Sequence, residues 1–302
     1  MILRTLRAIS GGFLCISLIN LEMAFAAPIT FNTALPVAKG EGIFRVQTKY
    51  LQSTDDPSTL DRELTVRALP MVGVFGITEK LALFGIIPVL DKEIEINSPS
   101  GRVSRGDTGI GDFTALARYT VWKKDMPGRT TRLAPFAALK MPTGKDDKKD
   151  SLGRLPQPLQ LGSGSWDPSV GLVMTHQTLS RQIDASLSYK FNTEANDFEF
   201  GDVGRLDLSY QHRVWPRELT GGVPGFLYGV LESNLIWQDK NEVNGIEDDN
   251  SGGTTWFLAP GIQYVTRRTV VEAAVQIPVV QDLNGNSLKN DFIATLSFRI
   301  NF

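Results

Sequence analysis

His176 and His212 are the residues of this chain best suited to acid–base chemistry near neutral pH. A rim hydrolase or acyltransferase would set one of them beside a serine or an aspartate where substrate arrives. Both lie instead just before short breaks, in "VMTHQTLS" and "SYQHRVW", at the rim away from the long polar segments. No enzyme is expected from this placement. Two histidines also make a zinc site a poor expectation, because the one cysteine, Cys15, falls in an N-terminal apolar run. "DLNGNS" (282–287) offers oxygens at Asp282, Asn284 and Asn286 in the manner of a calcium loop. Its sixth position is Ser287 rather than Gly, however, and its twelfth is Ile293 rather than Glu. "TGKDDKKD" has a Gly-Lys pair without the upstream glycine of a phosphate loop. Its Asp146, Asp147, Lys148, Lys149 and Asp150 read as a solvated loop, the longest of the chain, which could fold into a lumen. No cofactor or metal is predicted.

The elements that carry these residues are strands. In "IDASLSYKFN", Ile183, Ala185, Leu187, Tyr189 and Phe191 alternate with Asp184, Ser186, Ser188, Lys190 and Asn192. "GIFRVQTKYLQ", "RLDLSYQHRV" and "IATLSFRINF" repeat this period of two, the signature of a strand with one greasy face. Twelve such segments are expected, at roughly 41–53, 62–77, 80–96, 112–122, 131–142, 166–176, 182–192, 201–215, 225–238, 253–266, 268–280 and 290–302. Their connections alternate between short, such as Thr78-Glu79 and Arg267-Arg268, and long, such as 143–165, 239–252 and 281–289. Short turns on one rim and long loops on the other are the pattern of a transmembrane barrel, with the last strand closing on the first. The prediction is an all-β, antiparallel up-and-down β-barrel of about 12 strands. Pro70, Pro88, Pro135, Pro260 and Pro278 fall inside these segments and must mark bulges or strand ends, a role the pattern does not explain for Pro135 or Pro260.

The N-terminus suits export. Arg4 and Arg7 precede an apolar stretch from about Ile9 to Leu21, and "AFAAP" follows, so residues 1–26 read as a signal peptide and 27–302 as the barrel. With that segment go Arg4, Arg7 and Glu22, so the 31 basic and 33 acidic residues become 29 and 32, net −3. Bulk charge gives no reason to expect nucleic acid as a partner. The expected location is the outer membrane of a Gram-negative bacterium, with its lipid as the surrounding partner.

"GITEKLAL" (76–83), "IIPVL", "GDTGIGDFTALARYTVW" (106–122), "LKMPTG" (139–144) and "LGSGSWDPSVGL" (161–172) occur in that order. This set resembles the outer-membrane family named after the meta-pathway of phenol degradation. The resemblance implies an outer-membrane β-barrel that passes hydrophobic or aromatic compounds. Read physically, Gly106, Gly109 and Gly111 with Asp107 and Asp112, and then Gly162 and Gly164 before Trp166, suit loops re-entering strands. Phe302, with Phe298 four positions earlier, is similar to the terminal signal read by the barrel-assembly machinery.

If the apolar faces meet lipid, the other faces line a lumen. The basic positions are Arg45, Lys49, Arg67, Arg118, Lys140, Lys190, Arg205, Arg213 and Arg299, against Asp184, Asp207, Glu232 and Glu272. Such a lining favours anions if it is open, whereas cross-lumen pairing would instead fill the bore. The function expected is an outer-membrane channel for passive uptake of small solutes, aromatic or other small organic anions among them. The alternative is a non-transporting structural or assembly barrel.

Overall fold

A computed structural model describes residues 28–98, 101–218 and 225–302. The expected signal peptide, 1–26, lies outside the described residues. Twelve antiparallel strands close into one barrel: β1 (Gly42–Ser53), β2 (Glu63–Gly76), β3 (Leu81–Ser98), β4 (Gly101–Ile110, Phe113–Tyr119 and Trp122–Met126), β5 (Arg129–Met141), β6 (Asp167–Thr178), β7 (Arg181–Lys190), β8 (Val203–Trp215), β9 (Phe226–Gln238), β10 (Gly253–Val265), β11 (Thr269–Leu283) and β12 (Phe292–Asn301). Each pairs with its sequence neighbours, and β12 closes on β1 in the register Arg45↔Arg299. The seam extends one residue further, where Gly42 and Phe302 exchange backbone hydrogen bonds of 2.7 and 2.9 Å.

The greasy faces point out. Leu83, Leu187, Leu208, Leu231, Ile262 and Leu296 are all exposed on the barrel exterior, a continuous apolar band that only an apolar solvent would tolerate. Exposed aromatics edge it at both ends. Trp166, Phe191, Trp237 and Trp256 stand at the long-loop rim, and Phe44, Phe75, Trp122, Trp215 and Phe302 at the short-turn rim. No helix among the described residues is long and apolar enough to cross a membrane; the crossing elements are strands.

The fourth strand departs from the expected 112–122. It begins at Gly101, and Gly106 and Gly109 lie within it, paired with Glu93 and Leu90 of β3. This hairpin stands above its neighbours; Ile94 and Ile96 of β3 face the lumen, but its outward face is polar and the β4 side is polar almost throughout: Arg102 pairs with Glu95 (2.6 Å), Ser104 donates to Glu93 (2.7 Å) and Thr108 to Asp91 (2.6 Å). A strand with no apolar face has no period to detect.

The prolines resolve together. Pro70 and Pro88 are direct cross-strand partners on β2 and β3. The β1–β2 ladder is interrupted at Pro70, and the β3–β4 ladder at Pro88, between Ile86↔Thr114 and Val89↔Ile110. Pro135 sits where the pairing of β5 with β4 breaks between Phe136 and Leu133. Pro260 sits where β10 skips from Leu258↔Ile277 to Gly261↔Ala274, and Pro278 beside the bulge that opposes Trp256 and Phe257. A residue with no N–H costs nothing where no bond to that neighbour is made.

Candidate functional site

The lumen is the site, and its lining changes with height. Much of it is polar, from the short-turn end to the base of the long loops. Arg45, Lys49, Arg118, Lys140, Lys190 and Arg205 are buried and face inward, as the alternation predicts. Most of them have protein partners there. Arg45 pairs with Glu272, Lys140 with Asp167, and Arg205 with Asp207 at 3.0 Å. Buried charges persist in this way only when paired and hydrogen-bonded. Arg213 continues the inward face of β8 near the short-turn rim, with its guanidinium 5.6 Å from the Phe226 ring centre.

Arg67 is corrected. It points outward and pairs with Asp91 on β3 at 2.7 Å, its side chain 55% exposed. Its neighbours Leu64, Val66 and Ala68 are the buried, inward residues of β2. The rule that apolar residues face lipid inverts here because the lumen itself is apolar at this height.

It is apolar because the 142–166 connection folds into it. After a small hairpin (Lys149–Asp150 with Gly153–Arg154), a 3-10 turn at Gln157–Leu159 is buried. Leu155 and Leu159 pack among Leu51, Leu64, Val66, Ile94, Phe257 and Ile293. Lys92 reaches up from β3 and donates to the carbonyls of Pro158 (3.1 Å) and Gln160 (2.5 Å). The Gln160 side chain closes the turn on the Lys148 and Leu155 backbone. Arg105 grips the hairpin through Asp150 at 2.7 and 2.9 Å, and those hydrogen bonds hold the Asp150 carboxyl below its ordinary range.

The glycine segments meet at the base of this loop. Asp112 accepts from Gly144 N (2.9 Å) with one oxygen, and from Ser163 N (2.9 Å) and Oγ (3.0 Å) with the other. Thr143 Oγ1 accepts from Phe113 N at 2.8 Å. A side chain at Gly144 or Gly162 would strike the backbone of the other within 3 Å, which explains why glycine stands at both. Three stretches far apart in sequence thus form one knot that pins the loop.

The sequence pattern missed a second insertion. Residues 28–37, ahead of β1, run as a strap inside the short-turn half of the lumen. Glu232 of β9 accepts from Ile29 N (2.6 Å), Thr30 N (2.9 Å) and Thr30 Oγ1. Arg45 donates to Ile29 O at 3.0 Å. Asp184 accepts from Thr33 Oγ1 (3.1 Å), and Thr175 Oγ1 accepts from Ala34 N (2.8 Å). Arg118 donates to the carbonyls of Thr33 and Leu35. Ala34 packs on Ala134 and Val173, and Val37 joins Ile43, Val72, Val74 and Phe84. A sequence signal was present in "PITFNTALPVAKG", whose apolar residues needed a place to be buried.

The residues weighed for chemistry lie elsewhere. His176 bonds Thr131 Oγ1 at 2.8 Å, and His212 stacks on Tyr210 with ring centres 6.4 Å apart, both on the outward faces of β6 and β8 near the short-turn rim. "DLNGNS" is tied into the neighbouring loop, where Asn250 Oδ1 accepts from Asn286 N (2.9 Å) and Ser251 O from Asn284 Nδ2 (2.9 Å).

Comparison with known proteins gives two kinds of likeness. A family model described as MetA-pathway of phenol degradation matches residues 54–279. Among solved structures, an outer membrane channel from Pseudomonas putida F1 is similar with a TM-score of 0.69 at 15% identity, covering 91% of this chain and 100% of that one. The beta domain of the Bordetella autotransporter BrkA follows with a TM-score of 0.47 at 11% identity, covering 87% and 100%. The NanC porin has a TM-score of 0.44 at 10% identity, covering 85% and 98%. Comparison with curated proteins finds no match.

Proposed function

We propose a function from a plain premise: the chain belongs to the family described as MetA-pathway of phenol degradation. In our reading it is a narrow channel of the Gram-negative outer membrane. It passes small organic anions, aromatic acids among them, by diffusion, and the strap and the 142–166 loop restrict access. One observation carries this reading. Buried polar atoms with no partner among the described residues climb one wall of the lumen: Gln47 Oε1 on β1, Thr295 Oγ1 on β12, Gln276 Oε1 on β11 and Thr255 Oγ1 on β10. Buried polar groups are satisfied by protein or by water, so this wall is suited to a hydrated path. A barrel serving only as a scaffold would be more stable with aliphatic residues there. The histidines, facing outward near the short-turn rim, receive no catalytic role.

The second reading, a non-transporting barrel, is favoured by the filling of both ends, since strap and loop each bury residues completely. Planar-bilayer recordings across a salt gradient separate the two. Refolded protein is expected to give small, discrete, anion-selective steps. If protein shown to be folded gives no steps, even after the strap is loosened, the structural reading stands and the channel is excluded.

A further inference from the structure

We propose that Arg45 and Arg299 form an anion-binding site at the short-turn end of the lumen, built for a carboxylate. Only its ligand class rests on the channel reading above. The two residues are direct cross-strand partners on β1 and β12, and both face inward, 0% and 4% exposed. Like charges directly opposite each other on a ladder repel, and a buried site screens them far less than water does.

One acid serves both. Glu272 of β11 pairs with Arg45 Nη2, accepts from Gln263 Nε2 at 2.6 Å, and extends its charge to Arg299. Arg45 spends its other donors on Ser297 Oγ (2.8 Å) and on the strap carbonyl of Ile29 (3.0 Å). Donors remain on both side chains: Arg45 Nη1 and Arg299 Nε are buried without an acceptor among the described residues. A third cation at the same end, Arg213, likewise has a buried Nε without one. Toward the long-loop rim Lys140 and Arg205 each have an acid of their own, Asp167 and Asp207. At the short-turn end Arg45, Arg213 and Arg299 stand together with Glu272 as the acid paired to Arg45. Guanidinium donors left over on adjacent side chains suit a planar two-oxygen anion better than a spherical one.

The test uses the folded barrel in detergent, in a zwitterionic buffer, titrated calorimetrically with sodium benzoate and separately with sodium chloride. Wild type is expected to bind benzoate saturably, and Arg299→Gln to weaken it at least tenfold. Should that variant fail to fold, Arg299→Lys keeps the charge without the fork and is expected to lose benzoate affinity more than chloride affinity. Equal benzoate binding by wild type and Arg299→Gln, or none by wild type, overturns the site. Chloride binding as tight as benzoate overturns the carboxylate assignment. Conduction plays no part in this measurement. Benzoate binding without bilayer conductance defeats the channel and keeps the site; conductance without benzoate binding does the reverse.

Discussion

The strap is the element whose removal should change the molecule most, and Glu232 is its strongest hold. One carboxylate takes two backbone N–H groups, at 2.6 and 2.9 Å, and the Thr30 hydroxyl. In Glu232→Gln a single carbonyl oxygen remains, and an amide NH2 is turned toward donors. Hydrogen bonds to a charged group contribute roughly 1.5–3 kcal/mol each, so losing the charge and at least one bond costs about 3 kcal/mol of docking. Each 1.4 kcal/mol is tenfold, which makes the undocked strap roughly 150 times more populated. Ordering some ten residues already opposes docking at about 1–2 kcal/mol per residue, so little reserve absorbs the loss. The assay is thiol labelling. Ala34 is 0% exposed against Ala134 and Val173, and the native cysteine, Cys15, lies in the expected signal peptide. In an Ala34→Cys background, maleimide labelling is expected to accelerate about a hundredfold when Glu232→Gln is added, with the barrel still folded by heat-modifiability. Equal labelling rates would refute the reasoning, because the strap would then be held by something other than these bonds.

Three further outcomes are expected. Asp112→Ala removes acceptors from three donors of the loop knot, so limited proteolysis should cut within 142–166 at least tenfold faster while the barrel stays intact; unchanged cutting would place the anchor elsewhere. In the 54–62 loop, burial works against the charge of Asp56, yet hydrogen bonds from Arg62 and Ser58 outweigh it and hold the carboxyl down to about 2. A pKa depressed in the folded state stabilises above the unfolded value and loses that contribution as pH falls through the folded one. Asp56→Asn should therefore loosen this loop by about 2 kcal/mol near neutral pH, and hydrogen exchange should show the gap to wild type closing between roughly pH 4 and pH 2. Deleting Phe302, which pairs with Gly42 at the seam, is expected to lower the yield of heat-modifiable barrel in outer membranes; a normal yield would count against its role in assembly.

Strand positions were legible because lipid and lumen impose opposite chemistries on successive residues. Ile183 to Phe191 shows both in one glance, and the structure places β7 at Arg181–Lys190. The same alternation placed Arg45, Lys49, Arg118, Lys140, Lys190 and Arg205 inward. It failed at Arg67 for a local reason, since Leu64 and Val66 face leucines of an inserted loop rather than lipid. That insertion had a signal in Leu155, Leu159 and Leu161, apolar islands among prolines in a polar stretch. The strap was harder to see. Its anchors on β9, β7 and β6 lie 202, 151 and 141 residues away, and no local pattern records such distances. The order of the glycine segments was visible, but not that Asp112 draws them together.

On the channel reading, the vertical order of the lumen constrains what can pass. A solute entering from the long-loop rim first meets Leu155, Leu159 and the aliphatic wall around them, where a polar molecule would lose its water without compensation. Below lies the polar belt, where Lys140 and Arg205 are paired with Asp167 and Asp207 and Arg118 is held by strap carbonyls. At the short-turn end stand Arg45, Arg213 and Arg299, with Glu272 already engaged. A neutral apolar molecule satisfies the first layer and gains nothing from the last; a sugar or an inorganic ion fails at the first. A small molecule with an apolar body and one carboxylate is favoured at both ends. The strap lies between the belt and the exit and is held through Arg45 Nη2, so an anion on the free Nη1 of the same guanidinium sits against the group that holds the strap closed.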